Sequence, residues 1–337
     1  MYGWCEDCKA VALDGICSEH GKTKLIPFIN AIDVHPLSEL EKKIINNNLN
    51  GNGFKLGDGI FLVYGDRIYR RRVIALNQPL VEVKLLKDGI HVKKLCKNRK
   101  VIGGMEKEDL CNANIDRINK LSEIVKTFAE WEIESNGNSL ISFSGGKDSL
   151  TLSHLLREFK LKNVFIDTTI EFQETYSFIK KLQKEGWDID VTRAKTNFFV
   201  LCKEKKYPAY KNRWCCKTQK FAPFIDYLKE HFGDEKVSVF SGIRRWESLD
   251  RLEQPLEKQH KHITNQNTIQ PMLDWLSLDS WCYIWSNNLP VNELYNYFDR
   301  AGCWLCPFGL KYRLFLLQYS HPNLYNVVEK LRSNYGK

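Results

Sequence analysis

The sequence predicts an α/β protein, a parallel sheet with helices on both faces, preceded by a small cysteine-rich knuckle and a mostly β module. Three observations carry this. From Ser139 onward, short apolar runs alternate with helical stretches, the pattern of strands joined by helical crossovers. Between residues 26 and 112 the chain shows β-type runs, Ile60–Tyr64 and Tyr69–Leu76, cut by Gly, Asn and Asp turns. The first 25 residues hold Cys5, Cys8 and Cys17, too short a stretch to build a core. The expected divisions are therefore 1–25, 26–112 and 113–337, within a chain of 337 residues that can bury a core without disulfides.

Taken in order, the knuckle comes first. Cys5-x-x-Cys8 and Cys17-x-x-His20 form two facing pairs with the spacing of a zinc site, and Gly21 supplies the turn that lets backbone N–H groups reach the sulfurs. Metal binding would supply the stability that so small a segment lacks. Four protein ligands leave no open position, which points to a structural role in docking or RNA contact. In the β module, Arg67, Arg70, Arg71 and Arg72 are interleaved with Tyr64 and Tyr69. That is either a solvated face or an RNA-contacting surface.

Apolar positions Ile115, Ile118, Leu121, Ile124, Val125 and Phe128 recur at helical spacing and predict a helix over 114–135. It leads into the main domain. There the strand Leu140–Phe143 is followed by a glycine turn and a helix over Leu150–Phe159, with further strands expected at Asn163–Asp167, Asp188–Thr192 and Lys236–Ser241. The polar stretch Glu253–Asn267 reads as a mobile loop able to cover a ligand.

Charge and cysteine usage narrow the partners. Fifty Lys and Arg against 41 Asp and Glu give a net charge of +9, which suits nucleotides or RNA. No apolar run approaches the ~20 residues of a membrane span, and the first residues lack the basic-then-apolar pattern of a signal peptide. A cytoplasmic protein without membrane contact is expected. In that reducing setting eleven cysteines serve metal or redox chemistry sooner than disulfides.

The turn Ser144-Gly145-Gly146-Lys147-Asp148-Ser149 follows a strand and opens a helix, so its N–H groups and the helix dipole form an anion site. The glycines permit close approach of phosphate, Lys147 adds charge, and the serines donate hydrogen bonds. The spacing is not that of a Walker loop. Downstream, the adjacent Cys215 and Cys216, with Cys303-x-x-Cys306, supply four thiolates, suited to tetrahedral zinc or a [4Fe-4S] cubane. Neighbouring side chains diverge on an extended backbone, which favours the cubane with its separated irons.

The string Ser142 to Ser149 resembles the phosphate loop of the ATP pyrophosphatase (PP-loop) superfamily, whose fold is adenine nucleotide alpha-hydrolase-like. Three further segments resemble its PAPS and APS (sulfonucleotide) reductases. Phe165-Ile-Asp167-Thr168-Thr169 with Phe172-Gln-Glu174-Thr175 is similar to their adenosine-binding strand and turn, Ser241 to Arg251 to their arginine-rich substrate motif, and Pro271 to Tyr295 to the segment before their last cysteine pair. The resemblance covers roughly residues 115–325. It implies that Asp167 and Thr168 border an adenosine pocket, that Arg244, Arg245 and Arg251 grip the anionic end, and that Cys215, Cys216, Cys303 and Cys306 hold [4Fe-4S]. Lys220 would support the cluster, although Gln219 stands where the family usually has arginine.

The activity so implied is reduction of PAPS or APS to sulfite and PAP or AMP, with a thioredoxin-like or ferredoxin-like reductant. Two departures are expected to matter. The family's nucleophile lies in a C-terminal Glu-Cys-Gly-Leu-His segment, whereas this chain has no cysteine after Cys306; Cys202 and Cys282 are the remaining thiols, readable also as core residues. The intact Gly145-Gly146-Lys147-Asp148 loop also permits ATP cleavage, so an ATP-dependent iron–sulfur transferase acting on tRNA or DNA stays open, as does a nucleotide or redox sensor. The oligomer, a homodimer included, is left undetermined.

Overall fold

The structure is a computed structural model that describes residues 2–5, 7–8, 10–13, 16–17, 19–22, 33–49, 54–66, 70–75, 78–86, 89–97, 101–209, 211–307 and 311–336. At the start, β1 (Tyr2–Cys5) pairs antiparallel with β2 (Ala10–Leu13), and β3 (Ile16–Cys17) with β4 (Gly21–Lys22), two small ribbons that face each other's cysteines. A five-stranded antiparallel sheet follows, in the order β10 (Gly89–Lys94), β9 (Gln78–Leu86), β8 (Arg70–Ala75), β7 (Leu62–Asp66), β5 (His35–Pro36). Helix α1 (Glu39–Leu49) is inserted after β5, and β6 (Lys55–Leu56) pairs with β11 (Val101–Ile102). Ser38 starts α1: Glu41 takes its N–H at 3.1 Å, while Ser38 Oγ takes the Glu41 N–H at 3.3 Å, a reciprocal cap.

Helix α2 (Lys107–Asn136) starts before the expected Asn114, so a boundary at residue 112 would fall inside it. Next come β12 (Ser139–Phe143), α3 (Lys147–Leu155), β13 (Lys162–Asp167), α4 (Gln173–Lys184), β14 (Ile189–Arg193), α5 (Phe198–Lys205), α6 (Trp214–Cys216) and α7 (Ala222–Phe232). The chain closes with β15 (Val237–Phe240), β16 (Glu257–Gln259), β17 (Gln266–Ile269), α8 (Ser277–Ser286), α9 (Lys311–Ser320) and α10 (Pro322–Tyr335). The sheet order is β14-β13-β12-β15-β17-β16, parallel except for β16. Its central strands are apolar on both faces because both are covered. Leu140, Val164, Val237 and Val239 pack under α7, while Ile141, Phe143, Phe165 and Phe240 pack under α2, α3, α4 and α8.

The chain builds β13 and β14 on one side of β12, then crosses to place β15 on the other. The crevice above the β12–β15 boundary is therefore the switch point at which open α/β sheets bind ligands. The turns on either side of it are pressed together. A Cβ on Gly242 would lie 2.8 Å from the Asp148 carbonyl carbon and 3.0 Å from Ser149 N, so only glycine lets the turn after β15 close on the first turn of α3.

Glu253–Asn267 is not a free loop. It carries β16, which closes the sheet edge antiparallel to β17, and Gln259 Nε2 donates to the carbonyls of Ile263, Thr264 and Gln266. A polar edge strand and a loop share a composition, since an edge strand presents charged and amide side chains to water. Among the described residues, the β module shares its core with the rest of the chain: Phe54, Phe61, Val73 and Val81 belong to one apolar cluster with Phe172, Phe198, Trp214 and Leu305. Among the described residues, no helix is long and apolar enough to cross a membrane.

Candidate active site

Gly145 adopts φ +69°, and a Cβ there would stand 3.3 Å from Thr175 Cγ2 and Ile179 Cδ1, so the turn needs glycine for both reasons. Its polar groups are held by neighbours. Ser149 Oγ accepts from Ser144 N at 3.1 Å and donates to Gly146 O at 2.9 Å, Ser144 Oγ accepts from Gly146 N at 3.4 Å, and Lys147 N donates to the Tyr295 hydroxyl at 2.7 Å. Ser142 lies half-buried one residue before the end of β12.

Lys147 is 4% exposed, and its Nζ donates to Asp148 Oδ2 at 2.7 Å. Asp148 Oδ1 faces Arg244 Nε at 2.9 Å and accepts from Ser280 Oγ at 2.8 Å. The Arg244 guanidinium reaches Asp33 Oδ2 at 2.8 Å, and Asp33 Oδ1 accepts from Ser277 N at 2.6 Å. Burial opposes the charge on each group, but the alternation of signs prevails for two of them: Arg244 and Lys147 hold the Asp148 carboxyl far below the usual range, and Asp148 and Asp33 raise Arg244. Lys147 goes the other way, lowered by burial and by Arg244 despite Asp148.

The remaining arginines divide. Arg245 turns outward and braces the polypeptide, with Nε 2.9 Å from Asp274 Oδ1 and Nη1 donating to Leu252 O at 3.1 Å and Gln254 O at 2.6 Å. Arg251 pairs with Glu247, and Arg300 Nη1 lies 4.0 Å from the same carboxylate. Arg300 and Arg313 stand on either side of Cys303-x-x-Cys306 in the chain. Arg313 lies over the Phe172 and Phe298 rings at 5.7 and 5.3 Å and donates to Gly302 O at 3.0 Å. Arginines thus gather beside the phosphate turn and the second cysteine pair.

The turn after β13 faces those cysteines. Asp167 Oδ1 accepts from Thr169 N at 2.8 Å and the Tyr176 hydroxyl at 2.7 Å, and Arg193 Nε sits 3.3 Å from Oδ2. This holds Thr169 at φ +64°, a strained value for a β-branched residue. Thr168, 3% exposed, donates to Glu171 at 2.7 Å and lies 3.5 Å from Cys303 Sγ, which itself donates to Glu171 at 3.2 Å. Trp304 N donates to Ile170 O at 3.2 Å and pins the second cysteine pair to this turn.

Across from it, Cys215 and Cys216 end α6, and residues 217–221 continue as one turn of π-helix. Such bulges concentrate at functional sites because they re-aim side chains. Cys215, Cys216 and Cys303 share one apolar cluster. The hydrogen bond from Cys215, with Lys220 and Arg213 nearby, brings the Cys216 thiol down to about 6, while Cys215 is pushed up by its contact with Cys216 and by burial. Lys220 is exposed beside Cys216 and Cys303. Cys202 and Cys282 are both fully buried, so neither faces the crevice.

Among the described residues, the group whose ligand atoms all lie within 4.8 Å of one another is Cys5, Cys8, Cys17 and His20, and this group could hold a metal ion. The Cys8–Cys17 sulfurs are 3.6 Å apart, and His20 Nδ1 lies 3.8 Å from the Cys5 and Cys17 sulfurs. A metal–sulfur bond near 2.3 Å gives a tetrahedral edge of about 3.8 Å, so the set fits one ion. Backbone N–H groups of His20 and Glu19 lower the Cys17 thiol to about 6, which favours the thiolate a metal needs. Cys215, Cys216, Cys303 and Cys306 do not meet that closeness.

The sequence pattern named the glycine turn and both cysteine groups but not Asp33, Arg300, Arg313 or Glu171, and it took Tyr295 only as the end of a motif. Arg300 and Arg313 flank Cys303-x-x-Cys306 and carried a readable signal, whereas Asp33 lies in a stretch without pattern. Of the arginine–tyrosine patch in the β module, Arg67, Tyr69 and the side chains of Arg70 and Arg71 lie outside the described residues. Tyr64 is 7% exposed and Arg72 Nε is 3.7 Å from Glu82, so these two do not form an open stacking surface.

A phosphate-type turn at the switch point of a parallel sheet, with cysteines facing it, defines a nucleotide-binding α/β domain of the PP-loop type. Residues 138–308 match the family described as the phosphoadenosine phosphosulfate reductase domain, and the chain belongs to that family, the PAPS/APS reductases. An uncharacterized protein of Methanocaldococcus jannaschii is 35% identical over 237 residues, covering 68% of this chain and 57% of its own length. A second one from that organism is 32% identical over 205 residues, covering 59% and 42%. The chain spans about half the length of these two relatives. An adenosine 5'-phosphosulfate reductase of Bacillus cytotoxicus is 26% identical over 193 residues, covering 52% of this chain and 76% of that protein. Among solved structures, the phosphoadenylyl-sulfate reductase of Candida auris, a phosphate complex, aligns with a TM-score of 0.45 and 19% identity over 57% of this chain and 96% of that one.

Proposed function

We propose that the protein reduces an adenylyl sulfate, PAPS or APS, to sulfite and PAP or AMP. The observation that carries this reading is the gathering of arginines on the site: Arg244, Arg251 and Arg300 share the Glu247 carboxylate next to Asp148, and Arg313 donates to Gly302 O beside Cys303. A phosphosulfate bound there would place its anionic oxygens among forked donors and its sulfur toward the thiols. Asp167 and the Thr168–Thr169 turn would border the adenosine, and Arg244 would act by holding Asp148 and Lys147 in place. Cys215, Cys216, Cys303 and Cys306 would hold a [4Fe-4S] cluster, which when bound supplies a redox-active iron centre, and Lys220 would balance the thiolates. The knuckle would hold structural zinc. Overall, the sulfur–oxygen bond to the nucleotide breaks, its electron pair leaves with the phosphate, and sulfur accepts two electrons from a reductant protein.

An ATP-dependent sulfur transferase would use the same turn to hold pyrophosphate. The N–H groups of Ser144, Gly146 and Lys147 have acceptors within the chain, which an anion of either kind would displace. The test is an anaerobic assay of iron-loaded protein with PAPS, APS or ATP separately. Sulfite with PAP or AMP is expected; ATP cleavage to AMP and pyrophosphate only when RNA or DNA is added would overturn the assignment.

A further inference from the structure

The 23 residues from Phe198 to Lys220 carry seven Lys or Arg against the single acid Glu204, and so hold six of the nine net positive charges of the chain. All seven cations, Lys203, Lys205, Lys206, Lys211, Arg213, Lys217 and Lys220, are exposed. The fold brings them to one face. After α5 the chain doubles back: Ala209 N donates to Asn212 O and Asn212 N to Ala209 O, both at 3.1 Å, and Trp214 Nε1 donates to Lys206 O at 3.0 Å. Trp214 also stacks on Phe198 with ring centroids 5.2 Å apart, so the segment that carries Lys211 and Arg213 folds back on α5 and Lys206. Lys217 and Lys220 follow on the next turns.

Exposed apolar side chains lie among these cations and reach the segment of the second cysteine pair. Phe199 and Val200 are 39% and 52% exposed, and the Phe199 ring lies 6.4 Å from that of Trp304, the residue after Cys303. Half-buried Cys216 has Arg213 and Lys220 beside it. We propose that this face docks an acidic electron-carrier protein. The inference rests on the reductase reading and goes beyond it by naming the surface and the charge of the partner. Each sulfonucleotide takes two electrons, sulfur passing from the sulfate to the sulfite state as the carrier, a flavin or iron–sulfur protein, is oxidised. The cations steer an acidic partner, and the apolar side chains among them let it approach the thiols closely. A single nucleic-acid strand is the less favoured occupant, since among the described residues Phe199 is the one large aromatic ring exposed here for bases to stack on.

The experiment measures binding of the full chain, anaerobically reconstituted, to two probes: an acidic flavodoxin and a single-stranded RNA. The variant is Lys203→Glu, Lys206→Glu, Lys211→Glu, with the corresponding Lys→Gln triple as a milder control. Flavodoxin affinity should fall at least about tenfold in the Glu variant, less in the Gln variant, and also on raising salt from about 50 to 200 mM, with thermal stability and AMP affinity unchanged. No flavodoxin binding by the unaltered chain, or binding indifferent to the charge reversal, overturns the proposal. So does RNA binding that is tighter than flavodoxin binding and lost in the variant. Turnover is not the readout, so docking without any sulfite formation would refute the reductase and leave the docking face standing.

Discussion

Arg244 offers the sharpest test of how the phosphate turn is held. Its guanidinium is 2% exposed and stands 2.8 Å from Asp33 and 2.9 Å from Asp148. Arg244→Met keeps the bulk and removes the charge, leaving two carboxylates with Lys147 as the nearest cation. Removing one partner of a buried ion pair costs about 3–5 kcal/mol, which at roughly 2–4 °C per kcal/mol for a domain this large lowers Tm by about 6–20 °C. The pH dependence has a definite sign. Asp148 has a folded pKa below its unfolded one, so its ionisation stabilises the fold above the unfolded value near 4, and this contribution is lost as pH falls through the folded value. In the variant burial acts on Asp148 with less opposition, so the deficit should be greatest near neutral pH and shrink toward pH 4. Adding Asp148→Asn to Arg244→Met should recover part of the loss, because the coupled charge goes with it. Calorimetric or circular-dichroism melts at both pH values decide it. A Tm within about 2 °C of the unaltered protein, or a pH-independent deficit, would refute the account of Arg244 as the buried keystone of this charge cluster.

Four further outcomes follow from the same geometry. Gly242→Ala sets a Cβ against the backbone of Asp148 and Ser149 and should cost about 1–3 kcal/mol in thermal melts while weakening nucleotide binding by calorimetry. Tyr295→Phe leaves the Lys147 N–H without its acceptor and should destabilise by about 1–3 kcal/mol; unchanged stability in urea titrations would show the hydroxyl to be idle. Arg300→Ala should weaken PAPS or APS binding about 10- to 100-fold, the worth of one charge-assisted hydrogen bond, with AMP affinity and iron content unchanged. Cys8→Ser should remove one metal ion per chain by elemental analysis and leave iron in place; retained metal would contradict the knuckle assignment.

The sequence by itself determined the local chemistry: the strand–glycine–helix turn at Ser144–Ser149, the alternation that makes a covered parallel sheet, and the two cysteine groups with their spacing. Each of these is written within a few residues, or in a period, because backbone conformation and ligand spacing are short-range properties. Only the tertiary structure decided how charges are spent. Arg244, read as a grip for an anion, is committed to Asp33 and Asp148, and Arg245 braces the backbone of residues 252–254. Tyr295 reaches back to the phosphate turn, Glu253–Asn267 forms a sheet edge in place of a loop, and the β module shares its core with the cysteine region. Composition is silent on such pairings because a buried charge is stable only beside its partner, and which partner arrives depends on contacts between segments far apart in the chain.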